Sequence, residues 1–262
     1  MKIFYIYSVP RSGHHAIINW IVSQLDRKTI FLNNCSFIDG FLRPRQFSVC
    51  DSNSLGEVNP CDFLKFKEDD RFLIYFQKKK VFNSSLSKLG IHNIIMSSEI
   101  EDLNNICQFK IEEKINAKEI KKTYHICIQR DFKNWISSVL SHVFFKSFTN
   151  EEISEMIALW EKISNAYFDE NKYFIKYNKW FLSEEYKRQI CSDLDISFND
   201  KFINNVASYG KGSSFDYYDY NGKAQQMDVL NRYKKMENNP RYKDFLELYQ
   251  HLIPLSNHIF NK

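Results

Sequence analysis

No apolar run in this 262-residue chain is long enough to matter to a membrane. The hydrophobic stretch at residues 3–9 is too short for a signal peptide or a span, and Arg11 interrupts it. None of the six cysteines (Cys35, Cys50, Cys61, Cys107, Cys127, Cys191) forms a C-x-x-C pair. They read as reduced thiols of a cytoplasmic protein and not as metal ligands. Cys127 falls inside an apolar strand pattern, where a free thiol packs as a small hydrophobe. Internal repeats and low-complexity linkers are absent, so the length implies one domain, or one domain with a large insertion. Nor is there a charge excess: 36 basic against 32 acidic residues leave +4. That is too mild for a nucleic-acid surface, yet it suits a small anionic ligand at a local basic site. With 44% hydrophobic and 16% aromatic residues, a packed core is expected and intrinsic disorder is excluded.

The chain is organised around residues 4–20. The apolar run at 3–9 predicts a strand buried on both faces. Pro10 and Gly13 break it, and 16–25 resumes at helical spacing with Ile17, Ile18, Ile21, Val22 and Leu25. A tight polar loop therefore joins a strand to a helix N-terminus, whose unpaired N–H groups and dipole attract phosphate-like anions. Arg11 adds a permanent forked charge. Against the Walker A pattern G-x-x-x-x-G-K-[ST], the matching positions are Ser8, Gly13, His14 and His15. The lysine and the Mg²⁺-binding hydroxyl are both missing, which points to an anion bound without a metal.

Further on, 29–33 predicts a short strand, and 34–70 shows no periodicity, as in a lid or binding loop, or else in a stretch of short elements that leave no pattern. Residues 72–76 are β-prone, 93–97 form a third strand ending near Ser98 and Glu99, and 101–122 read as a charged surface helix. Residues 123–129 predict a buried strand running into Arg130 and Asp131. The helix after it presents Phe132, Trp135, Ile136, Val139, Leu140, Val143 and Phe144 on one face. Thr149 to Glu152 has the pattern of a helix start, and that helix buries Ile153, Met156, Ile157, Trp160, Ile163 and Tyr167. A strand at 173–177, a helix capped by Ser183, and two final helices at 224–236 and 241–251 complete the chain. Strands alternating with helices indicate an α/β fold of three layers, with a central parallel sheet flanked by helices.

Two other groups carry chemistry. Arg130 ends a buried strand, where α/β sheets bind ligands, and Ser138 follows about two helical turns later. The plainer alternative is an Arg130–Asp131 surface pair. Between Gly210 and Ser214, a Gly/Ser turn with Lys211 can form an anion-binding nest, or simply be a surface loop. His14 and His15 can contact an anion, serve as a base, or cap the helix while their amides bind. Joint metal ligation is disfavoured, because adjacent helical residues diverge and no third ligand is evident.

Pro10-Arg11-Ser12-Gly13-His14-His15 resembles the 5′-phosphosulfate loop, P-[RK]-S-G-T-T, of sulfotransferases that use 3′-phosphoadenosine 5′-phosphosulfate (PAPS), with histidines in place of threonines. The Arg130–Ser138 spacing is similar to that family's 3′-phosphate motif, and Lys211, Gly212 and Ser213 are a degenerate echo of its late R-K-G-x-x-G loop. The resemblance implies a P-loop-like domain over 1–262, with an irregular acceptor-binding insertion at 34–90. It implies PAPS as co-substrate, bound by Arg11, Ser12, Gly13, His14, His15, Arg130, Ser138, Lys211, Gly212 and Ser213, and no metal. The acceptor would be a hydroxyl or amine, with a glycan or glycolipid expected from the fold-level likeness. The family places its base, a histidine or glutamate, at the end of the strand before the 3′-phosphate strand. Glu99 occupies that place; His14 and Asp39 are the other candidates. Tyr177-Asn178 stands where the family has Tyr-Glu, and reads as structural. Two other readings stay open: a P-loop nucleotide phosphotransferase, and a non-catalytic nucleotide- or glycan-binding protein of the same fold.

Overall fold

The structure, a computed structural model, describes residues 1–25, 28–38, 41–50, 91–99, 118, 120–199, 203–206 and 212–260. The chain divides into two compact units, Met1–Tyr7 with Ile21–Ile126, and Ser8–Trp20 with Cys127–Lys262.

The first unit is built on strands β1 (Lys2–Tyr7), β2 (Lys28–Ile38), β3 (Phe41–Cys50), β4 (Ile91–Ser98) and the first part of β5 (Lys122–Gln129). The strands run in the order β3-β2-β4-β1-β5, followed by β6 (Tyr173–Lys176) of the second unit. β1 pairs with β4 and β4 with β2 in parallel. Five strands of the sheet are parallel, as the alternating pattern implied. β1 holds its central place because Ile3, Phe4, Tyr5, Ile6 and Tyr7 are all buried, which only a strand covered on both faces requires. Its rings meet β5: Phe4 stacks on Tyr124 at 5.1 Å and Tyr5 on His125 at 4.9 Å. Tyr7 Oη lies 2.7 Å from His125 Nδ1.

One expectation is corrected here. Regular structure does not stop at residue 33: β2 continues to Ile38, and β3 returns antiparallel beside it. The polar residues Asn33, Asn34 and Ser36 conceal this strand, and Pro44 and two arginines conceal its partner. β3 lies at the sheet edge, where Pro44 and the arginines are tolerated because one side of the ladder needs no donor. The expected strand at 72–76, and all but the end of the expected 101–122 helix, lie outside the described residues.

Helix α1 (His14–Gln24) follows the first loop, and its Ile17, Ile18, Ile21 and Val22 are buried as the spacing predicts. The second unit holds α2 (Phe132–Ser141), α3 (Asn150–Asn165), α4 (Tyr177–Leu182), α5 (Glu184–Asp193), α6 (Pro240–Leu248) and α7 (Leu252–Phe260). Its core is aromatic: Phe132 meets Trp160 edge-on at 5.0 Å, and Trp135 stacks on Trp160 at 6.1 Å. The caps form as read. Thr149 and Glu152 make a complete capping box, and the Ser183 hydroxyl accepts from Tyr186 N–H.

Three expectations of this unit are corrected. The 132 helix ends at Ser141, where His142 turns extended and its ring accepts from Phe144 N–H at 3.3 Å. Val143 and Phe144 are consequently 62% and 57% exposed and not core. Residues 224–236 hold two 3₁₀ turns, Ala224–Gln226 and Arg232–Met236, in place of one helix. Between them, the carbonyls of Val229 and Leu230 accept from Arg130 and Asn134, so tertiary partners take the groups a helix would use. The expected helix at 241–251 is α6, which ends at Leu248, and a further helix, α7, follows it at Leu252–Phe260; the chain enters α4 at Tyr177 directly from β6. No helix among the described residues is long and apolar enough to cross a membrane.

Candidate functional site

The first loop is held by backbone conformation and by side chains of its own unit. Arg11 has φ +66° and Gly13 φ +86°, both left-handed. Ser12 N–H donates to Val9 O at 3.2 Å, and Ala16 N–H donates to Gly13 O at 3.1 Å as α1 begins. A Cβ on Gly13 would stand 2.2 Å from Tyr177 Cε2, so the ring closes against the loop only because the residue is glycine. Trp135 Nε1 donates to Pro10 O at 2.8 Å and ties α2 to the loop. The first turn of α1 carries no acidic residue that would compete for an anion at the helix start.

Arg11 reaches across to the late turn. Its Nε donates to Ser214 Oγ at 2.8 Å and its Nη2 to Gly212 O at 2.9 Å. Beside it, Ser12 Oγ and His14 Nδ1 lie 3.2 Å apart, both buried, and the His14 and His15 rings are 4.0 Å apart. Gly212 has φ +77°, and a Cβ there would meet Tyr217 O at 2.5 Å. The turn is closed by mutual backbone bonds between Ser213 and Tyr217.

Arg130 and Ser138, paired by their spacing, are in contact: Nη1 donates to Ser138 Oγ at 3.1 Å. Nη2 donates to Val229 O, and Nε is buried with no hydrogen-bond partner among the described residues. The guanidinium lies over the Tyr177 ring, 5.2 Å from its centroid. One ring thus touches both the first loop and Arg130. Burial, joined by the charge of Arg232, brings the Arg130 pKa down to about 10 against the opposing pull of Tyr177 and Asp131. The backbone at Arg130 is fixed by Gln129 Oε1, which accepts from its N–H, and by Trp160 Nε1, which donates to its carbonyl. Asn178 donates to Asp131 Oδ2 at 2.9 Å.

Arg232 escaped the sequence reading. It is buried, and its Nη2 donates to Ser213 Oγ at 2.6 Å and to Asp216 Oδ2 at 2.8 Å. In the sequence it sits in a run, Arg232-Tyr233-Lys234-Lys235, that looks like the solvated face of a helix; the isolated Asp216 was the only available hint of a buried partner. The second unit therefore assembles Arg11 with Gly212 and Ser214, Arg130 with Ser138, and Arg232 with Ser213. Glu99 directly follows β4 in the first unit and is half-buried; there β1 and β4 end level, with Tyr7 opposite Ser98. Lys211 and Asp39 lie outside the described residues. Chemically, the second unit offers a helix start with Arg11, and a buried cation with an unfilled donor: a fit for a ligand with two separated acidic groups.

No family model matches the sequence, and no curated protein matches it. Solved structures do. The sulfotransferase domain of the Synechococcus PCC 7002 olefin synthase aligns with a TM-score of 0.51 at 11% identity, over 95% of this chain and 94% of that one. The sulfotransferase domain from the curacin biosynthetic pathway aligns at 0.50 and 12%, over 95% and 97%. At such identities the likeness is one of fold: this chain has the fold of those sulfotransferase domains.

Proposed function

We propose that the protein is a sulfotransferase that moves a sulfuryl group from PAPS to an acceptor hydroxyl or amine, on a glycan or glycolipid, in the cytoplasm. The observation that carries this reading is Arg130: a buried guanidinium whose Nε–H has no partner among the described residues, backed by a second buried arginine. An unfilled buried charged donor is costly, and a bound 3′-phosphate would fill it. Ser138 shares that phosphate. Arg11, Gly13 and the first amides of α1 take the 5′ end, and Gly212 and Lys211 border the nucleotide. All 262 residues serve as one sulfotransferase-like domain, with acceptor choice placed in 34–90.

In the transfer, the acceptor oxygen or nitrogen forms a bond to sulfur in line as the bond from sulfur to the phosphate oxygen breaks. 3′,5′-ADP leaves with the electron pair, and the acceptor proton passes to a base, with Glu99 first, His14 second and Asp39 third. Negative charge grows on the departing oxygen, and Arg11 with the loop amides meets it there. No step in this reading calls for a metal ion.

Thermal melting with 3′,5′-ADP, with 5′-AMP and with ATP plus Mg²⁺ tests the binding half, and transfer of ³⁵S from labelled PAPS to glycan acceptors tests the chemistry. The reading expects 3′,5′-ADP to stabilise most. Equal shifts from 3′,5′-ADP and 5′-AMP would sink the 3′-phosphate assignment, while a shift with ATP–Mg²⁺ alone would favour a phosphotransferase. Stabilisation by 3′,5′-ADP without any sulfate transfer would favour a binding protein that kept the fold.

A further inference from the structure

We infer that Arg232 is a positioning residue for Arg11, acting through the turn at Ser213. Two groups that hold the Arg11 guanidinium, Gly212 O and Ser214 Oγ, belong to the residues on either side of Ser213. Ser213 is in turn fully engaged. Its N–H donates to Tyr217 O and its carbonyl accepts from Tyr217 N–H. Its hydroxyl donates to Asp216 Oδ2 at 3.1 Å and accepts from Asp216 N–H, Phe215 N–H and Arg232 Nη2. With donor and acceptors taken, this hydroxyl belongs to the turn and is not offered to a ligand.

What anchors the turn is the Arg232–Asp216 pair. The arginine side chain is 6% exposed and the carboxylate 16%, and the same Nη2 bonds both Asp216 and Ser213. Lys235 reaches the other carboxylate oxygen only at 3.7 Å and is 53% exposed, so solvent screens it. Phe215 lies beneath the Arg232 guanidinium at 5.4 Å. Arg11 itself sits at φ +66°, a conformation that a non-glycine residue keeps only when its surroundings hold it. The order of support therefore runs from Arg232 to Ser213 and Asp216, then to the turn, and from the turn to Arg11.

This inference rests on the reading of Arg11 as a transition-state donor for its kinetic consequence, but not for its structural one. The structural readout is solvent exchange of the Arg11 Nε–H in ¹⁵N spectra, with the resonance identified by its loss in Arg11→Lys. In Arg232→Met the exchange should quicken by about tenfold, the scale of one lost hydrogen bond. Arg232→Lys, which keeps a donor nitrogen, should restore most of the protection. Asp216→Asn, a milder change at a partly exposed site, should show the same loss to a smaller degree if Arg232→Met does not fold. Unchanged exchange in a folded Arg232→Met, or in Asp216→Asn, would overturn the inference. In the transfer assay, kcat of Arg232→Met should fall about tenfold with KM for PAPS moving less. A raised KM at constant kcat would instead make Arg232 a direct ligand and overturn it. If the wild type neither binds 3′,5′-ADP nor transfers sulfate, the functional reading fails while the exchange measurement still decides this one.

Discussion

At the scale of single residues, Arg130 is held charged where charge is unwelcome. Its pKa, about 10, lies below the ordinary arginine value, so the unfolded chain holds the proton more tightly. The resulting cost is present throughout the range below pH 10 and is relieved only above it, where the folded chain gives up a proton that the unfolded state still binds. Arg130→Met removes this cost but also the donor to Val229 O, so its own melting temperature at neutral pH should stay close to wild type while its stabilisation by 3′,5′-ADP disappears. A drop of several degrees in its own melting temperature would show that Arg130 is there for the fold. Arg11→Ala should lower kcat by roughly a hundredfold or more, with product affinity falling less, as when a transition-state donor is removed. A change in KM alone would mean uniform binding. Gly13→Ala combines a left-handed φ with a Cβ 2.2 Å from the Tyr177 ring, and should cost about 1–3 kcal/mol in urea unfolding.

At the scale of elements, helix caps whose partners lie within one turn were readable at Thr149 and Ser183. The Thr149–Glu152 box is such a case, with bonds of 2.7 and 3.2 Å. Thr149→Ala should cost about 1 kcal/mol of stability, measured as a shift in urea midpoint at constant slope. Elements whose groups bond at long range were not readable. The segment 224–236 has a helix-like pattern, yet its carbonyls at 229 and 230 are taken by side chains about 100 residues earlier in the chain. Likewise β3 carries Pro44 and two arginines, and only its place at the sheet edge lets it be a strand.

For the molecule as a whole, a ligand that binds only the folded state raises stability by mass action. At a hundred times its Kd, 3′,5′-ADP should add about 2.7 kcal/mol, several degrees of melting temperature for a chain of this size. EDTA should leave that shift unchanged, since the proposed contacts are amides, hydroxyls and guanidinium groups. A shift abolished by EDTA and restored by a divalent cation would refute this account of the site.

The sequence alone determined the parts governed by short-range physics. Apolar runs of two-sided strands, helical spacing after Gly13, the Arg130–Ser138 interval and the caps each depend on neighbours a few residues apart. Tertiary structure decided what depends on distant partners. It brought Arg11 to Gly212 and Ser214, some 200 positions away, and buried Arg232 on Ser213. It also placed the Tyr177 ring against Gly13 and beneath Arg130. A buried charge and an exposed one have the same letter in a sequence; only the desolvation and the partners that the folded chain supplies tell them apart.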